Sequence, residues 1–350
     1  MDPTVIRNDR RKRKLPGRSS ISIEPMKEIS VIIPYFNSGD YIFETLESVV
    51  SQKIQNMEII IVDDGSTDNV LDCVRQKFPD IHIVRTENRG PSHARNVGTK
   101  IATAAWIQYL DADDILGLDK LRRQLKIIRE SKAGVVYGAW QELQELENGE
   151  FIKGNLHYPK LSGDTMLHLL ESKNFTATGS MLLQRQSILE VGGYDEKMRC
   201  IEDVNFYLRL AMNGTRFERD EDPQPALLYR RYRKRLSQGN QNSMIYADGC
   251  FINAVLAENV WRNQKNELTE QQIKLLLEIY AQVARFYFER DRKKFKTVFS
   301  KIKLLDPQYL PPSPKALRYF SRWIGYEKAE EVALIFRRLK ALSQNSSGDK

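Results

Sequence analysis

Cysteine is scarce in this chain, and so are long apolar runs. The three cysteines, Cys73, Cys200 and Cys250, stand far apart, which fits neither a disulfide framework nor the paired spacing of a zinc site. No apolar run has the length of a membrane span, and the first residues lack the apolar core of a secretory signal. We therefore expect a protein of the reducing cytoplasm with no integral membrane span.

The remaining composition is that of a folded protein. With 350 residues, 41% of them hydrophobic and 29% charged, the chain has room for one large domain and a smaller one. The net charge of +8 is concentrated in basic clusters at 7–18, 230–235 and 290–296. Such clusters can meet nucleic acid, anionic lipid or phosphorylated substrates, although a solvated tail explains the first cluster better.

The pattern changes along the chain at recognisable points. Residues 1–27 show no periodicity, short strands alternate with amphipathic helices from Ile29, and the pattern after residue 243 is helical throughout. The chain is therefore divided into a basic disordered tail (1–27), an α/β domain (28–242), a helical C-terminal region (243–343) and a second tail (344–350).

Buried strands and helices alternate in the α/β domain. The apolar pattern predicts strands at 29–34, 58–62, 81–84, 106–110 and 135–137, and helices at 41–50, 67–78, 91–104 and 119–131. Continuous apolar strands alternating with helices indicate a mostly parallel sheet covered on both faces. Ligands of such sheets bind at the carboxyl ends of the strands.

The most informative segment is 106–114, an apolar run that ends in three carboxylates. A buried strand cannot carry unpaired carboxylates in its interior, so Asp111, Asp113 and Asp114 must follow its exposed end. Because alternate side chains of an extended segment share a face, Asp111 and Asp113 can form a hard-oxygen site suited to Mg²⁺ or Mn²⁺, with a plain turn at the strand end as the alternative. Asp114 fits an N-cap of the following helix.

Polar side chains also follow the neighbouring strands. Asp63 and Asp64 are placed to accept hydrogen bonds from a ribose hydroxyl or a base N–H, with a plain turn and helix cap as the alternative. Arg95 lies one turn into a helix that begins at Gly90-Pro91. Its guanidinium can reach a phosphate or base, or can pair with a neighbouring aspartate.

Seven such segments in this order resemble the family 2 glycosyltransferases with the GT-A fold. The segments are Ser30–Asn37, Val62–Asp68, Asn88–Gly98, Leu110–Asp114, Gly192–Glu196, Glu202-Asp203 and Tyr229–Ser237. The resemblance covers about residues 29–240. It implies a Rossmann-like, mostly parallel sheet flanked by helices, with an all-helical C-terminal region outside the resemblance.

The resemblance also implies an activity. Relatives transfer a hexose from a nucleotide diphosphate, most often a UDP-sugar, to a hydroxyl of a glycan or lipid-linked acceptor, with inversion, as in polysaccharide biosynthesis. A divalent cation at Asp111 and Asp113, the DXD motif, would neutralise the departing diphosphate. The nucleotide-sugar pocket would comprise Pro34, Tyr35, Asn37, Asp63, Asp64, Arg95, Asp111 and Ala112.

Inversion in one step requires a general base that takes the acceptor proton. The resemblance assigns this role to Asp203, for which a helix cap is the alternative explanation. Gly193, Tyr194 and Glu202 would lie on the acceptor side.

One segment departs from the family pattern. Many relatives have a histidine where this chain has Tyr232, and a serine where it has Arg235. Arg230, Tyr232 and Arg235 would then contact the diphosphate, or the arginines would meet an acidic or lipid-phosphate acceptor. The dependence on a cation would be altered accordingly.

Two other functions compete with glycosyl transfer. One is a catalytically silent GT-A domain that binds a nucleotide sugar or a partner. Every acidic position needed for the chemistry is intact, which argues against this function. The other is nucleic-acid binding, which ranks last because only 229–235 interleaves aromatic and basic residues. The expected location is cytoplasmic, with peripheral contact at the inner face of the membrane, although neither the basic tail nor the helical region has a clear amphipathic membrane signature.

Overall fold

The structure is a computed structural model that describes residues 27–232, 243–265, 267–311 and 314–345. Strands and helices alternate through its first part, and each predicted strand and helix is present within a few residues of its expected ends. In chain order these elements are β1 (Ile29–Tyr35), α1 (Ile42–Val50), β2 (Met57–Asp63), α2 (Val70–Lys77), β3 (His82–Arg85), α3 (Pro91–Ile101), β4 (Trp106–Tyr109), β5 (Ile115–Leu116), α4 (Lys120–Ser131) and β6 (Val135–Tyr137).

The middle of the chain supplies further strands that the apolar pattern does not reveal. They alternate with short helices in the order β7 (Trp140–Glu145), β8 (Phe151–His157), α5 (Thr165–Leu170), β9 (Met181–Gln184), α6 (Arg185–Glu190), α7 (Glu202–Met212), β10 (Phe217–Arg219) and β11 (Leu227–Arg231).

Seven strands form the main sheet, in the order β10-β6-β9-β4-β1-β2-β3. Strand β9 runs antiparallel to both of its neighbours, and the other pairs are parallel. The predicted mostly parallel sheet flanked by helices is therefore confirmed. A second, four-stranded sheet has the order β5-β11-β7-β8.

The described residues after 243 form helices, as predicted. These helices are α8 (Met244–Lys265), α9 (Glu270–Arg290), α10 (Arg292–Leu305), α11 (Lys315–Ile324) and α12 (Tyr326–Asn345). Thr269 and Gln272 form a capping box at the start of α9, which satisfies backbone N–H groups that a helix start leaves unpaired. No helix in the described part of the chain is long and apolar enough to cross a membrane.

Two apolar layers cover the main sheet because successive side chains of a strand point to opposite faces. Val31 and Ile33 of β1 contribute to one layer. Ile32 contributes to the other, which continues through Phe206 of α7 into Trp261 and Tyr280 of the C-terminal helices. The C-terminal helices thus share a hydrophobic core with the α/β part.

Candidate active site

The carboxyl ends of β1, β2 and β4 meet at one edge of the main sheet. Strand β1 lies between the other two, with Tyr35 opposite Asp63 and Ile32 opposite Tyr109. The polar segments that follow these strands are consequently neighbours, as their positions in the sequence predict.

Asp63 and Asp64 are both buried, and their carboxylates hold the surrounding loops. Asp63 accepts a hydrogen bond from the backbone N–H of Ser66 at 2.8 Å and pairs with Arg85 at 3.1 Å. Asp64 accepts from the backbone N–H groups of Arg89, at 3.0 Å, and Gly90, at 2.7 Å. Asp64 therefore fixes the loop from which α3 begins, and Asp63 forms the turn foreseen as the alternative to ligand binding.

Tyr35 and Asn37 brace the turn that follows β2. The buried Tyr35 donates its hydroxyl hydrogen bond to Asp68 at 2.7 Å, and the Asn37 side-chain oxygen accepts from the backbone N–H groups of Thr67 and Asp68 at 2.8 and 3.2 Å. Pro34 and Asn37 keep exposed surface. The buried Tyr35 thus supports the turn after β2 from the interior of the protein.

The turn after β4, residues 111–114, is named the acid turn. The side chain of Asp111 is 37% exposed and Asp113 is partly exposed, whereas Ala112 and Asp114 are buried. Burial raises the pKa of Asp114 well above its usual value, and the charges of Asp113 and Asp111 raise it further. The outer carboxylates therefore face the solvent edge of the site, while Asp114 points inward.

Asp114 is part of the framework of the acid turn rather than a helix cap. Its Oδ1 accepts from the backbone N–H of Arg230 at 3.0 Å, and α4 begins only at Lys120, after Asp119. The prediction that Asp114 caps this helix is wrong, because a two-residue strand, β5, separates the acid turn from α4. The hydroxyl of Thr45 also holds the turn by donating to the carbonyl of Asp114 at 2.8 Å.

Arg95 connects the acid turn to the start of α7. Its side chain is only 6% exposed; Nη2 donates to Asp111 Oδ1 at 2.6 Å, and Nη1 lies 3.6 Å from Glu202 Oε1. Its Nε and Nη1 have no hydrogen-bond acceptor among the described residues. A buried guanidinium with unused N–H groups is suited to donate hydrogen bonds to anionic oxygens of a ligand.

Asp203 lies at the second residue of α7, next to Glu202. Desolvation by the surrounding protein, followed by the charge of Glu202, raises its pKa to about 7, and the more distant charge of Asp111 acts in the same direction. The backbone N–H of Val204 donates to its Oδ1 at 2.8 Å and opposes the shift. Asp203 is partly exposed as a residue, unlike the fully buried Asp114.

The loop 191–196, named the glycine loop, is clamped from two sides. Gly193 has φ +71°, and a Cβ there would lie 2.4 Å from Asn96 Oδ1. Asn96 of α3 accepts from the backbone N–H of Tyr194 at 2.8 Å and donates to its carbonyl at 2.9 Å. Arg209 of α7 donates to the carbonyl of Gly193 at 2.6 Å.

Glu196 extends this clamp to the start of α3. Its carboxylate accepts from Arg89 at 2.7 Å, from Asn96 at 3.1 Å and contacts His93 Nδ1 at 3.1 Å. Burial favours a higher pKa for Glu196, but the hydrogen bonds from Asn96 and His93 outweigh burial and lower it. Sequence reasoning does not single out Asn96, Glu196 or Arg209. Asn96 and Glu196 do lie within the family-like segments Asn88–Gly98 and Gly192–Glu196.

Arg230 lies behind the acid turn. Its side chain is 4% exposed and pairs with Glu44, its guanidinium donates to the carbonyl of Asp113, and it lies 4.7 Å from the ring centre of Tyr41. Tyr232 packs against the same Tyr41 ring at 5.5 Å between centres. Arg235 lies outside the described residues.

Within the described part of the chain, no group of three or more His, Cys, Asp or Glu side chains is arranged to hold a metal ion. Asp111 and Asp113 provide hard oxygen atoms, and one Asp111 oxygen already binds Arg95. Mg²⁺ commonly uses one or two carboxylates and completes its shell with waters and substrate phosphates. The donor set of the acid turn therefore fits such an ion only together with a phosphorylated ligand.

The part of the chain that contains the site is similar to known glycosyltransferases. Residues 30–193 match the model of "Glycosyl transferase family 2". An uncharacterized glycosyltransferase of Rickettsia felis is 31% identical over 193 residues, 54% of this chain and 31% of that protein. The glycosyltransferase GlyG of Streptococcus pneumoniae is 35% identical over 127 residues, 35% of this chain and 42% of GlyG. The chain spans about a third of the length of the Rickettsia relatives.

A solved structure extends the fold assignment beyond the matched region. The crystal structure of S. aureus TarS in complex with UDP-GlcNAc superposes with a TM-score of 0.59 over 87% of this chain and 90% of that chain, at 18% identity. This likeness concerns the fold, and it includes C-terminal helices as well as the sheet. The predicted GT-A fold is thereby confirmed.

Proposed function

We propose that this chain is an inverting glycosyltransferase that moves a hexose from a UDP-linked donor to a hydroxyl of a glycan or lipid-linked acceptor, because residues 30–193 match the model of glycosyl transferase family 2. The fold relative TarS has been crystallised with UDP-GlcNAc, which supports a uridine diphosphate sugar as the donor class. A role in polysaccharide biosynthesis is part of the proposal.

The observation that carries the proposal is the position of Arg95, which binds Asp111 of the acid turn at 2.6 Å and lies 3.6 Å from Glu202. Glu202 directly precedes Asp203, and burial together with the charge of Glu202 raises the pKa of Asp203 to about 7. A general base works best when its pKa lies near the operating pH, because it is then both deprotonated and basic enough. The charge of Asp111 influences this pKa, so the base and the acid turn belong to one electrostatic site. In the proposed step, the acceptor oxygen bonds to the anomeric carbon, the bond to the diphosphate oxygen breaks, and Asp203 takes the acceptor proton.

On the donor side, we assign the diphosphate to Arg95 and the acid turn. The unused Nε and Nη1 atoms of Arg95 would donate to phosphate oxygens, and Asp111 would orient the guanidinium through its 2.6 Å contact. Pro34, Asn37 and the loop held by Asp64 would form the wall for the nucleoside. Asp111 and Asp113 would hold Mg²⁺ or Mn²⁺, which supplies charge neutralisation to the leaving diphosphate when bound.

Arg230 and Tyr232 have a less direct place in this proposal. Because the guanidinium of Arg230 contacts the carbonyl of Asp113, we propose that it keeps the acid turn in shape. Contact of Arg230, Tyr232 and Arg235 with the diphosphate stays a prediction. Gly193, Tyr194 and Glu202 are kept as the proposed acceptor side, with the glycine loop positioned by Asn96 and Arg209.

A donor screen tests the proposal. The purified chain is incubated with a panel of nucleotide sugars, an acceptor glycan mixture and Mg²⁺ or Mn²⁺, and the released nucleotide diphosphate is measured. We expect release of UDP from one or more UDP-sugars. Nucleotide binding by calorimetry without turnover of any donor would instead support the silent GT-A domain.

Asp203→Asn separates chemistry from binding. It should leave the affinity for UDP unchanged and lower transfer by about a hundredfold or more, the usual contribution of a general base. Asp72→Asn is the matched control, since Asp72 is also a carboxylate in the first turn of a helix, α2, and is exposed. Near-full turnover of Asp203→Asn would show that another group takes the proton.

A further inference from the structure

Helix α11 exposes most of its apolar side chains. Of its ten residues, only Leu317 and Ser321 are buried. Trp323 is 76% exposed and Tyr319 61%, and Phe320 and Ile324 are also exposed. Large aromatic side chains rarely stay in water without a partner surface when they are clustered.

The charges of α11 adjoin this apolar face. At about 100° of rotation per residue, Tyr319, Trp323 and Phe320 occupy one arc of roughly 100° on the helix. Lys315, Arg318 and Arg322 occupy a neighbouring arc of roughly 60° on the same wheel, and all three are exposed. The helix carries no carboxylate, so its exposed surface is aromatic on one side and purely cationic on the next.

A bilayer surface fits this arrangement better than a second copy of the chain. A twofold contact between copies brings the same patch together from both sides, which would place the cations of α11 near one another. An anionic lipid surface instead offers phosphates to the arginines and lysine, while Trp and Tyr rings lie at the level of the headgroups.

We propose that α11 docks in the plane of a membrane surface that contains anionic phospholipid. The proposal places peripheral membrane contact on one helix, whereas the sequence pattern alone shows no clear amphipathic membrane signature in the C-terminal region. The proposal does not depend on the proposed catalytic function, because it concerns a different element and a different ligand.

Vesicle binding with the full chain tests this assignment. The protein is sedimented with vesicles of phosphatidylcholine alone and with vesicles of phosphatidylcholine and phosphatidylglycerol in equal amounts. We expect binding to the mixed vesicles only, with a blue shift of tryptophan fluorescence. Of the four tryptophans, Trp140 and Trp261 are buried and Trp106 is only partly exposed. The highly exposed Trp323 should therefore dominate this shift, and Trp323→Phe should bind without the shift.

Variants separate the apolar face from the charges. Tyr319→Ala with Trp323→Ala should weaken binding at least about tenfold through lost apolar burial, and Arg318→Gln with Arg322→Gln about fivefold per charge. Leu118→Ala and Lys126→Gln, at side chains that are similarly exposed in the α/β part, should bind like the unchanged chain.

Three outcomes would overturn the proposal. One is the absence of binding to the mixed vesicles. Another is binding that leaves the fluorescence of Trp323 unchanged, which would assign membrane contact to another basic segment of the chain. The third is a concentration-dependent dimer that Tyr319→Ala with Trp323→Ala abolishes, which would identify the face as a contact between copies.

Discussion

Asp114 of the acid turn and Asp203 of α7 both have raised pKa values, but their surroundings give them different roles. Asp114 is 2% exposed and binds the backbone N–H of Arg230, so no reactant can reach it. Asp203 has a pKa of about 7 and is partly exposed as a residue. A raised pKa therefore indicates a catalytic candidate only where the residue is not fully buried.

The first prediction is a pH profile. If Asp203 is the base, kcat/KM should rise about tenfold per pH unit below pH 7 and level off above it, because only the ionised carboxylate accepts the proton. Initial rates of nucleotide diphosphate release across the acid limb provide the measurement. A profile without an acid limb between about pH 5 and pH 7 would contradict the assignment.

The same pKa predicts an effect on stability. The folded-state pKa of Asp203 lies above its unfolded value, so its contribution is fully present at low pH and is lost as the pH rises through about 7. Asp203→Asn should therefore raise the free energy of unfolding above pH 7, by up to about 4 kcal/mol, and have little effect near pH 4. Urea unfolding at both pH values tests this, and a gain confined to low pH would refute it.

Arg95 offers a prediction about donor binding. Arg95→Gln should weaken UDP binding at least about tenfold, because charge-assisted hydrogen bonds to phosphate are lost. Arg123 is a matched control, since it is also largely buried, pairs with Asp220 at 3.2 Å and has an Nη2 without an acceptor among the described residues. Calorimetry with UDP compares Arg95→Gln and Arg123→Gln, and equal affinities would argue against a donor role.

At the scale of elements, the glycine loop depends on its contact with α3. Gly192 and Gly193 both have positive φ, but a Cβ at Gly192 would meet nothing within 4 Å, whereas one at Gly193 would meet Asn96 at 2.4 Å. Gly192→Ala should cost about 1 kcal/mol of backbone strain alone. Gly193→Ala should cost about 2 kcal/mol or more, since Asn96 must also move. Urea denaturation of the two variants gives the comparison, and equal losses would show that the Asn96 contact is unimportant.

The elements differ in how well the sequence predicts them. Strand β1 is buried at every residue except Pro34, so its apolar run is nearly continuous, and β2, α3 and α4 likewise carry patterns that match their environments. Strand β8 has no buried residue and includes Lys153 and Gly154, so hydrophobicity carries little information there. Strand β9 is a short buried run whose antiparallel direction depends on tertiary pairing and leaves no periodic signal.

The residues of the candidate site also differ in how well the sequence predicts their positions. Asp63, Asp64 and Asp111 were predictable because polar residues that end buried strands gather at one sheet edge. The framework role of Arg230 was not predictable, because it depends on the pairing of β11 with β5, which brings it beside the acid turn. The uneven pKa values of Asp114 and Asp203 likewise depend on burial, which the sequence does not display.

At the scale of the whole molecule, the C-terminal helices share one apolar core with the α/β part. Tyr194 and Phe206 belong to the same buried cluster as Trp261, Leu276 and Tyr280. The division at 242/243 is therefore a change of architecture, and whether it is also a domain boundary stays a prediction.

Truncation tests the boundary. A chain ending at residue 242 should be poorly soluble or much less stable than the full chain, because it exposes the apolar side chains that meet α8 and α9. The full chain should unfold in one cooperative urea transition followed by circular dichroism and tryptophan fluorescence. A fragment as stable as the full chain would establish an independent α/β domain.

Consecutive residues of α3 serve the two sides of the proposed reaction. Arg95 contacts Asp111 and lies near Glu202, while Asn96 holds the glycine loop. Redesign of the sugar preference through α3 would therefore disturb recognition of the acceptor as well.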